Sequence, residues 1–180
     1  MSTVLAGSLL RRMWGAALLH ADTYEEVEAD RGATLQALAV VLLVAVAGGV
    51  GTIANHGADG ILWHALASVV LWCVWALTTY LVGTKLLPSP ETRADYGELL
   101  RTVGFSSSPG VVLLLCLIEP IDGFVFALGM LWMLVAMVVA VRQALDYRST
   151  WRAIGVCAIG FPVYLVGWLA SILLLGPWPV

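Results

Sequence analysis

Residues 123–142 read GFVFALGMLWMLVAMVVAVR, an apolar run of 20 residues that ends in Arg142. An α-helix rises about 1.5 Å per residue, so a run of this length crosses the roughly 30 Å hydrocarbon core of a bilayer. Four further apolar runs lie at about 34–55, 61–83, 99–118 and 153–175. With 61% hydrophobic and 12% charged residues, the chain has too little polar surface for a soluble protein. The sequence therefore predicts an all-α, polytopic integral membrane protein with five transmembrane helices.

The nine basic residues all lie on one side of this five-span pattern. Three precede the first span, three surround the connection between spans 2 and 3, and three surround the connection between spans 4 and 5. In that order they are Arg11, Arg12 and Arg31; Lys85, Arg93 and Arg101; and Arg142, Arg148 and Arg152. Short loops rich in Lys and Arg stay cytoplasmic. We therefore predict a multi-pass protein of the inner (cytoplasmic) membrane, with its N-terminus inside and its C-terminus outside.

Residues 1–33 are predicted to form amphipathic helices that precede a single transmembrane domain over 34–180. Apolar positions recur at three- and four-residue spacing from Leu10 to Ala21, and Arg11 and Arg12 lie off that stripe. This pattern is typical of a helix at the membrane interface, with Arg11, Arg12 and Trp14 as anchors and Trp151 as a further anchor before span 5. The alternative is a helix packed on the protein's own cytoplasmic loops. Thr23 and Glu26 have the spacing of a capping box, which predicts a second short helix.

Two sets of residues are candidates for helix packing. In span 1, Ala45, Gly48, Gly49 and Gly51 are small residues, some of them four apart, a spacing that lets membrane helices approach closely. The interface could be internal or between subunits. In span 2, Trp72 and Trp75 are three apart on one face near the middle of the membrane, and we interpret them as packing residues.

Span 3 is the irregular one. It contains Arg101, which is near the inner end and is expected to extend towards the interface. Farther along, Pro109 removes a backbone donor, and serine hydroxyls can satisfy the freed carbonyls. The helix-break candidates here are Gly104, Ser106, Ser107, Ser108 and Pro109, and Pro162 is the candidate in span 5.

The stretch from Arg101 to Ala153 resembles the Yip family, membrane proteins named for interaction with Ypt/Rab GTPases, and in particular its bacterial members. The resemblance lies in Arg101-Thr-Val-Gly-Phe105, Pro109, Glu119-Pro120, Leu131-Trp132, Arg142 and Ser149-Thr-Trp-Arg-Ala153. The Asp-Leu-Tyr-Gly-Pro element of many eukaryotic members is absent. The resemblance implies a five-helix membrane domain with a cytoplasmic N-terminus, and it implies little about activity.

No motif indicates chemistry. His56, Asp59, His64, Glu119 and Asp122 are metal-ligand types on the outer face, but their spacing places no two on one helix face. Ser106 to Ser108 lack a base near them. We therefore expect no catalytic, cofactor or metal site, no enzyme activity and no nucleic-acid partner.

Three functional hypotheses remain open. The first is a non-enzymatic scaffold or accessory subunit that binds other membrane proteins, with homo-oligomers also compatible. The second is a small-solute or lipid permease that uses the broken helices. The third is a protein that shapes membranes through its N-terminal helix.

Overall fold

The computed structural model describes residues 2–49 and 53–175, with side chains for 8–49 and 62–170. Gly51, a packing candidate, and the side chains of His56 and Asp59 lie outside these ranges. Within them every regular element is helical. The α-helices are α1 (Ser2–Ala17), α2 (Ala21–Ala29), α3 (Ala33–Gly49), α4 (Ile53–Leu81), α5 (Tyr96–Ser106), α6 (Asp122–Ala144) and α7 (Thr150–Leu175). A π-helical turn, Val82–Leu86, extends α4, and 3-10 segments cover Ser108–Leu117 and Glu119–Ile121.

Four helical stretches of the described chain are long and apolar enough to cross a membrane. They are Leu62–Leu86, Tyr96–Leu117, Glu119–Ala144 and Thr150–Ala170. The predicted first span contains α3, an apolar helix of 17 residues. A helix of that length is about 25 Å long, which is shorter than the roughly 30 Å hydrocarbon core.

Span 3, which comprises α5 and the following 3-10 segment, is the centre of the bundle. In its apolar stretch 61% of the residues are buried, against 22% in the apolar stretch of α7. The difference arises because α3, α4 and α6 all pack around span 3. The α-helix begins in a reciprocal capping box: Asp95 Oδ1 accepts from the Glu98 N–H at 2.8 Å, and Glu98 Oε2 accepts from the Asp95 N–H at 2.7 Å.

The α-helical part of span 3 ends just before Pro109, as the sequence indicates. A proline has no N–H to continue the ladder, and its ring disfavours the α conformation of the residue before it. The chain continues as a 3-10 segment of 10 residues, longer than the usual three or four. The other break candidate behaves differently, because α7 continues through Pro162 as one helix. Membrane helices tolerate an internal proline where neighbouring groups satisfy the freed carbonyl.

Close helix contacts in the core depend on glycine at two positions. A Cβ built on Gly104 would lie 2.7 Å from the Ala37 Cβ and 3.3 Å from the Ala37 Cα. A Cβ built on Gly110 would lie 2.5 Å from a methyl carbon of Val44 and 2.7 Å from the sulfur of Met133. A larger residue at either position would require these neighbouring atoms to shift.

The packing candidates of spans 1 and 2 that the structure describes lie inside the chain's own bundle. Ala45 and Gly49 are buried, and Cβ atoms built on Gly48 and Gly49 would lie 3.7 Å and 3.5 Å from His64 of α4. These small residues therefore serve the contact between α3 and α4.

The tryptophan pair of α4 is also buried. Trp72 Nε1 donates to the Leu100 carbonyl at 2.9 Å, and Trp75 Nε1 donates to the sulfur of Met137 at 3.0 Å. Trp75 also meets Tyr164 of α7 edge to face, with ring centroids 5.4 Å apart. The pair joins α4 to span 3, α6 and α7.

The connections that carry the basic residues meet at one end of the bundle, where α4 and α6 end and α5 and α7 begin. We call this the polar end. The Tyr147 hydroxyl donates to the carbonyls of Gly83 at 3.1 Å and Leu87 at 2.6 Å. The Thr92 hydroxyl donates to the Leu145 carbonyl at 3.0 Å. These bonds fix the connection before α5 against the connection before α7.

Candidate functional site

Arg12 joins three helices at the polar end. The residue is only 8% exposed, and its guanidinium donates to Glu26 Oε1 at 2.9 Å and Gln36 Oε1 at 2.8 Å. A third nitrogen contact, 2.8 Å long, is to Asp30 Oδ2. The hydrogen bond from Arg11, followed by that from Arg12, lowers the pKa of Glu26, and the hydrogen bond from Arg12 lowers the pKa of Asp30. Arg12 therefore clamps α1 and α2 to the first turn of α3.

Arg101 fixes α2 to span 3. It is 6% exposed, and its Nε donates to the carbonyls of Val27 at 3.1 Å and Glu28 at 3.0 Å. A terminal nitrogen of the same guanidinium also donates to the Glu28 carbonyl. These carbonyls belong to the last turn of α2, where the helix dipole favours a cation. Arg101, which was expected to extend towards the interface, reaches α2 at the polar end, where the backbone carbonyls of that helix hold its guanidinium.

Helix α1 is buried on one side and exposed on the other. Met13 and Ala16 are buried, whereas Leu10 and Trp14 of α1 and Leu18 of the turn after it, spaced by four residues, are exposed. Trp14 is 70% exposed, although it is a large apolar residue. The exposed side of α1 is therefore an apolar stripe, of the kind that lies at a membrane interface.

The predicted interfacial anchors occupy different environments. Arg11 is largely exposed and bonds to Glu26 at 2.6 Å, whereas its neighbour Arg12 is buried. Trp151 is 81% exposed at the start of α7. Trp14 and Trp151 are therefore open to the surroundings, and Arg12 is an internal residue that binds the protein's own acids.

The second short helix forms, but without the expected capping box. Helix α2 begins at Ala21 with His20 before it, and the His20 side chain makes no capping hydrogen bond. Thr23 lies inside the helix, and the Glu26 carboxylate is occupied by Arg11 and Arg12.

A cleft of about 610 Å³ opens at the polar end, between α2, the start of α5 and the turn after α6. Its charged lining includes five carboxylates and two guanidiniums: Glu25, Glu28, Glu91, Glu98, Asp146, Arg142 and Arg148. Asp146 has a positive φ of 52°, in the left-handed conformation that ends many helices, so the chain turns there from α6 into α7. Gln143 Nε2 donates to Glu25 Oε1 at 3.1 Å and so bridges α6 and α2 across the cleft.

The carboxyl of Glu28 is strongly perturbed by this cleft. Burial, followed by the negative charges of Glu98 and Asp146, raises its pKa to about 7, and the positive charge of Arg101 partly opposes the rise. The cleft is therefore acidic, and one of its acids titrates near neutral pH.

Sequence reasoning did not find this cleft. Gln143 and Glu25 are 118 positions apart, and no local spacing relates them. The available signal was weaker: all nine basic residues lie on one side of the predicted spans.

Three of the five outer candidates, His64, Glu119 and Asp122, have described side chains. His64 packs against Gly48 and Gly49, and Glu119 and Asp122 are exposed. In the described part of the chain, no group of three or more His, Cys, Asp or Glu residues is placed to hold a metal ion.

The fold and the apolar helices define a class: this is an all-helical, multi-pass membrane protein that sits in a lipid bilayer. The family model of the Yip1 domain matches residues 14–171, which is most of the chain. The chain therefore belongs to the Yip1 family, as the resemblance indicated. No curated protein and no solved structure matches it.

Proposed function

We propose that this Yip1-domain protein is a non-enzymatic scaffold or accessory subunit that binds another membrane protein through its polar end. The observation that carries the proposal is the construction of that end. Two buried arginines, Arg12 and Arg101, hold α1 and α2 against the bundle. The chain thereby presents a charged cleft that the docked α2 helps to form.

The proposal includes a topology of five spans with the polar end in the cytoplasm. All nine basic residues belong to elements or connections at that end, which supports the orientation by the positive-inside rule. In this topology α3 is the first span, and a helix that is short for the bilayer is accommodated by local thinning or by flanking residues that reach the interface.

Topology can be tested with reporter fusions after Asn55, Pro90, Asp122 and Val180. The proposal requires cytoplasmic signal at Pro90 only, because the other three positions follow odd-numbered spans. A cytoplasmic signal after Val180 would contradict five spans.

In the same proposal, α1 lies on the inner leaflet. Its apolar stripe of Leu10, Trp14 and Leu18 faces away from the protein, and burying it among acyl chains stabilises the bound state by about 25 cal/mol per Å². Brominated lipids provide the test, because bromine quenches nearby tryptophans. In the Trp14→Phe variant, the amount of tryptophan fluorescence that brominated lipid quenches should be smaller than in the wild type, because Trp14 no longer contributes. An unchanged amount of quenched fluorescence would place α1 away from lipid.

The docking role can be tested with a photo-crosslinking residue at Asp146, which lines the cleft. The matched control carries the same residue at Phe124, which is exposed at the opposite end of α6. The proposal expects one discrete membrane-protein adduct from position 146 that is absent from position 124. Identical adduct patterns from the two positions would remove the support for docking at the cleft.

A second candidate function, a small-solute or lipid permease, is favoured by one observation. Ser108 is buried beside the change of helix type at Pro109, and among the described residues its hydroxyl has no hydrogen-bond partner. A polar group left open inside a membrane domain is a feature of solute pathways. Liposome flux that is lost with Ser108→Ala but kept with Ser106→Ala would favour transport, since Ser106 already bonds to the Val103 carbonyl at 2.7 Å.

A further inference from the structure

Glu28 lies on α2, in the acidic cleft where this helix packs against α5. The residue is in the last turn of α2, and its side chain lines the cleft. Its own backbone carbonyl accepts hydrogen bonds from the buried Arg101 of α5. The carboxyl that titrates and the bond that holds α2 in place therefore belong to the same residue.

Charged and titratable groups face Glu28 from every element around it. The flanking acids outnumber the bases, and the groups come from α2 itself, from the segment before α5, from α5, and from α6 with the turn after it. In that order they are Glu25; Glu91; Glu98 and Arg101; and Arg142, Asp146, Tyr147 and Arg148. A negative charge on Glu28 is consequently repelled by carboxylates on both neighbouring elements, and movement of α2 away from α5 relieves that repulsion.

Two contacts oppose the movement. Tyr24 and Val27 are fully buried apolar side chains of α2, and Arg101 bonds to the end of the helix. Docking of α2 is thus a balance between apolar burial with the Arg101 bonds and the repulsion inside the cleft.

We propose that Glu28 is a proton-controlled latch: with its carboxyl protonated, α2 stays docked on α5, and loss of the proton loosens that contact. This latch does not depend on which partner the polar end binds, and it goes beyond the proposed binding of a partner. It makes the position of α1 and α2 depend on pH near neutrality.

The sign of the effect follows from the two protonation equilibria. Burial, followed by the charges of Glu98 and Asp146, raises the pKa of Glu28 in the docked state from 4.5 to about 7, so the docked state holds the proton more tightly than the open state. Docking is therefore strongest below pH 4.5 and weakens as the pH rises to about 7, after which no further loss occurs. These values give about a tenfold rise in the open population between pH 6 and pH 8. Glu28 is only partly buried, and screening by water makes this tenfold figure a ceiling.

The experiment is hydrogen exchange of the α2 amides in the purified full chain, from pH 5 to pH 8. Each rate is divided by the rate of the Glu28→Gln variant at the same pH, which cancels the intrinsic dependence of exchange on pH. The expected wild-type to Glu28→Gln ratio rises up to about tenfold between pH 6 and pH 8. A ratio that stays constant across this range would overturn the proposal.

The matched control is Asp22→Asn, which removes one carboxylate from the same helix at an exposed position that does not line the cleft. It should keep the wild-type pH dependence, and loss of that dependence would assign the effect to general charge on α2. The Asp146→Asn variant provides an independent readout, because it removes a like charge that raises the pKa of Glu28. The transition should then move to lower pH, and an unmoved midpoint would also overturn the latch.

Discussion

Replacement of Arg101 by methionine tests how the N-terminal helices are held to the membrane domain. Methionine keeps much of the side-chain length and the apolar contacts but cannot donate a hydrogen bond. In the wild type, the guanidinium donates to the carbonyls of Val27 and Glu28 in a site where Arg101 is 6% exposed. The variant therefore leaves the last turn of α2 without its charged donor.

The size of the effect follows from these bonds. Each hydrogen bond that involves a charged group contributes about 1.5–3 kcal/mol, and Arg101 donates to two carbonyls. Part of that sum is recovered because a buried cation no longer needs to be desolvated. We expect docking of α2 to weaken by about 2–3 kcal/mol, which is a rise of about 30- to 150-fold in the opening of α2. Arg101→Lys should lose roughly half as much, because an ammonium keeps the charge but not the fork that reaches two carbonyls.

Hydrogen exchange of the α2 amides in the purified full chain measures this opening. The control is Arg93→Met, a charge removal at an exposed site in the segment before α5, which should change stability by less than about 0.5 kcal/mol. An Arg101→Met protein whose α2 exchanges within about threefold of wild type would refute the role assigned to Arg101.

Three further predictions concern the same region and the core. Arg12→Gln leaves Glu26 and Asp30 without their buried cation and should lower the free energy of unfolding by about 1–3 kcal/mol. Arg11→Gln, at an exposed ion pair, should lower it by less than about 1 kcal/mol, and tryptophan-monitored thermal unfolding compares the two. Gly104→Ala should destabilise by about 1–3 kcal/mol because the new methyl group collides with Ala37; Gly123→Ala, with nothing within 4 Å of the new atom, is the control. Since Arg11 and Arg12 lower the pKa of Glu26, and Arg12 lowers that of Asp30, their contribution to α1 docking is present above pH 4.5. It is lost as the pH falls through the lowered values, so the exchange of the α1 amides, divided by their intrinsic rate at the same pH, should increase on acidification; no increase of this normalised rate down to about pH 2 would contradict the clamp.

The membrane class of the fold could be predicted from the sequence because the thickness of the bilayer fixes the length of an apolar run. The end of the α-helix before Pro109 could also be predicted, since proline acts on the chain next to it. Both are local effects, and a sequence displays local effects directly.

The environments of the arginines could not be predicted in this way. Arg11 and Arg12 are adjacent in the sequence, yet one is exposed and the other is buried among acids that lie 14 and 18 positions away. Arg101 binds carbonyls 73 and 74 positions away. A backbone carbonyl is present at every residue, so no residue type marks it as the partner of a distant arginine. The acidic cleft could not be predicted either, because its acids are far apart in the sequence. Packing of α2 brings them next to those of α5 and of the turn after α6.

The measurement that tests the central proposal most directly is the native mass of the protein after gentle solubilisation of its membranes. The account predicts a complex heavier than a monomer or homodimer of the 19.2 kDa chain, containing a second membrane protein in a fixed ratio. It also predicts that Arg101→Met lowers the yield of this complex and that Arg93→Met does not. A protein that runs alone, at monomer or homodimer mass, in wild type and variants alike would contradict the proposed role as an accessory subunit.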